Sequence, residues 1–266
     1  MSKYFWVALG CLILSACSKN NDTPSNENEK GDLVIEFDNI VGEENLVLET
    51  GVYTNKSGEK YTIDLLQYYV SNIKLRTTDG REYAVPADSS YFLVRENGDK
   101  SEVKLQNVPA GDYNTVSFVV GVDSLRSVAP LSERTGVLDP SGEAADMYWT
   151  WNSGYVFLKL EGGSTAIKDG DGKFRFHIGG FGGYTSATIN NLRTVNITAP
   201  SGMVAGVRSG KPHAPHIHLF ADIEKLMDAK QQVSVAAHSM VMFDDFSATI
   251  ANNYANMFSV DHIHND

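Results

Sequence analysis

Seven histidines are spread unevenly along this chain of 266 residues. His177 stands alone before residue 200, whereas His213, His216, His218, His238, His262 and His264 fall after it. Imidazole nitrogens suit copper, zinc or nickel, and thioethers favour soft Cu(I). In an extended strand, side chains two residues apart share a face. His216 with His218, and His262 with His264, are therefore spaced to approach one ion. His238 with Met240 and Met242 would set an imidazole beside two thioethers, although methionines in this pattern more often fill a core. One doublet is weak ground, because most histidines are surface or core residues. The whole set is stronger, since both cysteines, Cys11 and Cys17, lie at the very start of the chain. The same placement excludes thiolate zinc sites, internal disulfides and thiol redox chemistry from the folded body.

Other chemical signals are fewer. Asp169, Asp171 and Gly172 form part of a calcium-loop pattern, but the downstream bidentate Glu is missing, so a tight hairpin turn is expected. There is no Gly-x-Ser-x-Gly elbow, phosphate-binding loop or His-Glu-x-x-His segment, so no positive sign of hydrolase catalysis. Met147 to Gly162, MYWTWNSGYVFLKLEG, holds two tryptophans; if extended, Met147, Trp149 and Trp151 share one face, as a sandwich core would use them. With 22 Lys and Arg against 33 Asp and Glu, the net charge of −11 repels phosphate backbones and makes nucleic acid an unlikely partner.

The elements that must position these residues are mostly strands. Period-two alternation marks 33–37, 45–49, 68–76, 91–95, 102–106, 113–122, 155–161, 173–178, 188–198, 216–222 and 231–242. Turn clusters such as Thr78-Asp79-Gly80 and Pro109-Ala110-Gly111 separate them. Helical patterns occur at 223–230 and 246–258, the second with Asp244 or Asp245 as a cap. The expected fold is all-β, an antiparallel β-sandwich, immunoglobulin-like or related, with short helices near the C-terminus.

Residues 1–16 read as a lipoprotein signal peptide: one Lys, an apolar run, then Leu14-Ser15-Ala16 before Cys17, which resembles a bacterial lipobox. Cys17 would become the lipidated first residue, at an outer-membrane, periplasmic or cell-surface address. Residues 17–32 then form a flexible tether, leaving 33–266 as a single β-rich domain.

Several segments together resemble the periplasmic copper-binding proteins related to the methanobactin-operon protein MbnP. They are the tryptophan block, Leu66 to Leu75, Val119 to Asp123, Phe176-His177-Ile178-Gly179-Gly180, and Asn256 to His264. The resemblance runs from about residue 32 to the terminus. It implies a secreted β-rich, non-catalytic copper binder, in some relatives with a tryptophan oxidised to kynurenine by a di-haem partner enzyme of the MauG type. By position, Trp149 or Trp151 would be the oxidised residue and His177 the strand histidine facing it. His262 and His264 match the family's terminal pattern; His238 ranks next, then His216 and His218, with His213 last. Neutral imidazole is needed for such binding, so affinity is expected to weaken below the histidine range near pH 6.5. The alternative is a lipid-anchored cell-surface binding or adhesion module without a functional metal site. A copper-dependent redox enzyme would further need an open coordination position and a substrate pocket.

Overall fold

The computed structural model describes residues 29–98, 101–151 and 154–265. The signal peptide, Cys17 and most of the tether lie outside the described residues. The first strand, Lys30–Val41, begins three residues before the expected domain start.

The alternation seen in the sequence becomes a two-sheet sandwich. In the smaller sheet, Lys30–Val41 lies between His216–Asp222 and Glu102–Pro109, and Phe258–His264 pairs with the outer side of His216–Asp222. The larger sheet centres on the long strand Lys60–Thr77, flanked by Gly111–Val120 and Gly154–Ser164. Lys173–Gly179 and Arg193–Thr198 extend it on either side. Each strand turns alternate residues inward: Leu33, Ile35 and Phe37; Ile217, Leu219 and Ala221; Phe174, Phe176 and Ile178 are all essentially inaccessible. Where the sheets meet, Phe37, Tyr68, Phe118 and Phe258 contact one another edge to face, with centroids 5.0 to 6.1 Å apart. Burial of such rings is the dominant force holding the layers together.

A second hydrophobic cluster covers the outer face of the larger sheet. There Tyr69, Leu93, Met147, Trp149, Tyr155 and Phe157 pack with Leu138 and Ala144 from the irregular segment after Val120. Tyr155 and Tyr69 donate their hydroxyls to the carbonyls of Leu138 and Val137 at 2.7 Å, pinning that segment down.

The structure departs from the expected pattern in several places. The sandwich is not purely antiparallel, because Lys30–Val41 runs parallel to His216–Asp222, and Lys173–Gly179 runs parallel to Met240–Val241. Of 45–49, only Asn45 is in a strand; Val47 donates its N–H to the Tyr53 hydroxyl instead, and Glu49 adopts a positive φ of 64°. Residues 188–192 curl into an asparagine turn, in which the Asn190 side-chain Oδ1 accepts from Leu192 N–H and the Asn191 side-chain amide donates to the Gly179 carbonyl. Short helical turns also occur early, at Ser124–Ser127, Leu131–Glu133 and Gly136–Leu138. The two expected C-terminal helices form as Ile223–Asp228 and Ser247–Tyr254, and Asp244 accepts the N–H of Ser247 at the start of the second.

Most of 231–242 is irregular, with a strand only at Met240–Val241. Its backbone finds a side-chain partner in place of a ladder. The Glu59 carboxylate accepts from Ser234 Oγ at 2.7 Å, Val235 N–H at 2.8 Å and Ala236 N–H at 3.1 Å. Burial pushes the Glu59 carboxyl upward, but these bonds and one from Asn55 outweigh it and hold it below its ordinary value. A depressed carboxyl contributes stability that is present above its unfolded value and is lost as pH falls through the folded one. Glu59→Ala is therefore expected to cost about 1–3 kcal/mol at neutral pH. In urea unfolding, its deficit relative to wild type should shrink as the pH drops below the ordinary carboxylate range.

Candidate metal centre

The outward residues of the smaller sheet gather four histidines. In the register of its two outer strands, His216 lies opposite His264 and His218 opposite His262. Ile217 and Leu219 hold the first strand to the core, so His216 and His218 must point out. The second strand meets a parity problem, because Phe258 and Val260 face the core while His262 and His264, also even-numbered, face out. A β-bulge resolves it: His218 pairs with His262, but Leu219 pairs with Val260, leaving Asp261 as the extra residue.

The four imidazoles form a stacked array. Ring centroids are 4.1 Å apart for His218 and His262, 4.8 Å for His216 and His264, and 5.0 Å for His218 and His264. Ligand nitrogens of His216, His218 and His264 all lie within 4.8 Å of one another. His218 Nε2 and His264 Nε2 are hydrogen-bonded to each other at 2.9 Å. Two nitrogens bound at about 2.0 Å to one ion, at an angle near 90°, are separated by about 2.8 Å, so the pair already has a chelating span. His262 is more open, its side chain 51% exposed, and its Nδ1 bonds to Asp261 at 2.7 Å.

A carboxylate behind the ring sets the ligating atom. Glu36, beside His218 in the parallel register, lies 3.1 Å from His218 Nδ1. With Nδ1–H donated to Glu36, Nε2 presents its lone pair toward the triad, as metal-binding histidines commonly require. Burial lowers the His218 value most, Glu36 opposes that shift, and the other three histidines add to it; the net effect favours the neutral, ligating form. The Glu36 contact has no local mark in the sequence. The alternation of Val34, Glu36 and Asp38 was visible, but their long-range pairing with 216–222 was not.

The remaining candidates lie elsewhere. His177 faces outward from the larger sheet and bonds through Nε2 to Glu161 at 2.7 Å. Burial lowers its value although Glu161 pulls the other way. His238 stacks on Phe246 at 3.5 Å, and His213 is exposed in the loop before the triad strand. Met240 pairs with Arg175 of the larger sheet, so the thioethers do not join the imidazoles.

The tryptophan block is a hairpin rather than one extended strand. Tyr148–Trp149 pairs back on Gly154–Ser164, so Trp149 is buried while Trp151 is 64% exposed, their rings 5.1 Å apart. Trp149 lies over Gly179, two residues from His177 on the same outer face. Trp149 and His177 thus share the outer face of one sheet, and the imidazole triad occupies the outer face of the other. Stacked sheets are about 10 Å apart, and their core lies between these faces, so the two groups cannot bind one ion together.

This arrangement defines a β-sandwich protein with a histidine cluster on one solvent face. The MbnP family model matches residues 30–243, and the chain belongs to the MbnP family. Among solved structures it is similar to MbnP from Methylosinus trichosporium, with a TM-score of 0.50 and 15% identity; the likeness covers 77% of this chain and 79% of that one and concerns the fold. No curated protein matches. The family match ends at residue 243, before the Phe258–His264 strand that carries His262 and His264.

A methyl group at Gly179 would lie 2.6 Å from both the Trp149 ring and the Tyr155 carbonyl oxygen. Gly179→Ala is expected to lower stability by about 1–3 kcal/mol, read by urea unfolding. The tryptophan emission should shift to the red as Trp149 is displaced toward solvent.

Proposed function

We propose that this protein binds copper on His216, His218 and His264, as a lipid-anchored protein of the bacterial outer membrane, periplasm or cell surface. Its role is to scavenge, store or deliver the metal rather than to turn over a substrate. The observation that carries this reading is the chelating separation of His218 Nε2 and His264 Nε2, 2.9 Å, with His216 in reach. Membership of the MbnP family, which is associated with copper, supports the choice of metal. Anchoring rests on the lipobox-like Leu14-Ser15-Ala16-Cys17; among the described residues, no helix is long and apolar enough to cross a membrane.

A tryptophan-derived kynurenine and its di-haem partner belong to the proposal as a separate feature. Trp151 is the ring open to a partner enzyme, whereas Trp149 is enclosed. On the opposite outer face, a kynurenine would not be a ligand of the triad's ion. One observation favours the binding-module reading: exposed Tyr184 borders a cavity of about 170 Å³ lined also by Phe181, Phe243, Thr185, Ser186 and Thr188. Trp149 reaches Phe243 at 6.3 Å and lies tilted against Trp151, so aromatic surface runs up to this cleft.

Native mass spectrometry of copper-loaded protein is expected to show one retained copper. His218→Ala and His264→Ala should each weaken it roughly 100-fold or more, since each removes a ligand. His177→Ala should leave it unchanged; loss of copper in that variant alone would move the site to the other sheet. Wild-type protein that takes up no copper would favour the binding module. For the anchor, Cys17→Ser is expected to shift the protein from the membrane to the soluble fraction on cell fractionation.

A further inference from the structure

We infer that the cleft between the glycine-rich turn after Lys173–Gly179 and Phe243 binds a neutral saccharide, seating one hexose ring against Tyr184 and Phe243. The site goes beyond the copper reading and needs no metal, since no histidine lines it.

Charge narrows the ligand class. The nine residues around the cleft are all uncharged, although 21% of the chain is Asp, Glu, Lys or Arg. A phosphate, carboxylate or ammonium entering here would give up water without gaining a counter-ion.

Hydroxyls supply the polar contacts. Among the described residues, the side chains of Thr185, Ser186 and Thr188 have no hydrogen-bond partner, and all three are exposed. Each hydroxyl both donates and accepts, which is the repertoire of a sugar hydroxyl. Tyr184, 68% exposed, adds a ring face and a phenol, and Phe243 with the buried Phe181 completes the aromatic lining. A hexose ring has the matching double character, C–H groups on its faces and hydroxyls around its rim. An extended peptide would instead look for free backbone partners. Here the turn spends its own amides, Thr188 N–H on the Gly182 carbonyl at 3.0 Å and Gly182 N–H on that of Ile189 at 3.1 Å.

Size and rigidity fit a single ring. The cavity of about 170 Å³ is smaller than the roughly 300–1,000 Å³ of drug-sized sites. Gly180, Gly182 and Gly183 hold φ of 109°, 96° and 103°, which L side chains rarely adopt. A methyl group at Gly183 would overlap the Ser186 carbonyl oxygen, and one at Gly180 would lie 2.8 Å from the Phe243 ring. The turn is therefore shaped before a ligand arrives, which lowers the cost of binding. Outside the cleft, Trp149 lies 6.3 Å from Phe243, and Trp151, 64% exposed, lies 5.1 Å from Trp149. This row leads outward, so a further sugar linked to the first reaches Trp151.

The test is isothermal titration calorimetry of the purified full-length protein. The probes are glucose, galactose, mannose and N-acetylglucosamine, their β-linked oligomers, the charged sugars glucuronate and glucose 6-phosphate, and a tryptic casein digest. At least one neutral hexose should bind in the millimolar range, its oligomers more tightly and the charged sugars more weakly. Tyr184→Ala should weaken the hexose roughly tenfold. Trp151→Ala should erase the advantage of the oligomer and leave the single hexose unchanged. Both side chains are exposed, so both variants should fold and retain copper as wild type does. No neutral sugar bound at millimolar concentration, tighter binding of the charged sugars, heat from the peptides alone, or an affinity unmoved in Tyr184→Ala would overturn the saccharide site. None of these results touches the copper site, which is read separately by metal retention.

Discussion

The constraint on which the rest depends is the strict two-residue alternation of strands bound to a single core. In the smaller sheet, Ile217 and Leu219 must face inward to meet Phe37 and its aromatic neighbours, and this forces His216 and His218 outward. On the partner strand the same rule would have turned His262 and His264 inward with Phe258 and Val260. The extra residue at Asp261 breaks the parity there, and the four imidazoles then face one another across a ladder whose spacing is set by backbone hydrogen bonds. The cluster is preorganised in this sense: its geometry is stabilised by core burial and sheet pairing, which exist with or without an ion.

Much of the fold was legible in the sequence because it follows from local alternation. The segments 33–37, 68–76, 91–95, 155–161 and 216–222 all became strands, and the two late helices formed where the 3.6-residue pattern placed them. Misreadings occurred where side chains replaced the ladder as partners for the backbone. Glu59 captures the amides of 235 and 236, Tyr53 takes that of Val47, and Asn190 takes that of Leu192. Such capture depends on residues far away or on turn geometry, and a period-two pattern carries no mark of it.

The site was legible by composition and not by arrangement. The histidine doublets at 216–218 and 262–264 were visible, but nothing local told that their strands pair, or that His177 belongs to another layer. The resemblance placed His177 beside a tryptophan, and the structure does put both on one outer face, with Gly179 giving Trp149 room to lie flat. It also separates that face from the imidazoles by the thickness of the sandwich. Two features that read as one site along the chain are thus two surfaces, one aromatic and partly covered, the other imidazole-rich and bordered by carboxylates.

The edge strand Phe258–His264 lies beyond the stretch that matches the family. His216 and His218 stand on the strand behind it, whereas His264 stands on this edge. An edge strand is held by a ladder on one side alone. The cluster therefore shares the fate of that margin: were the edge to peel away, His262 and His264 would leave with it, and His216 and His218 would stay on the strand behind.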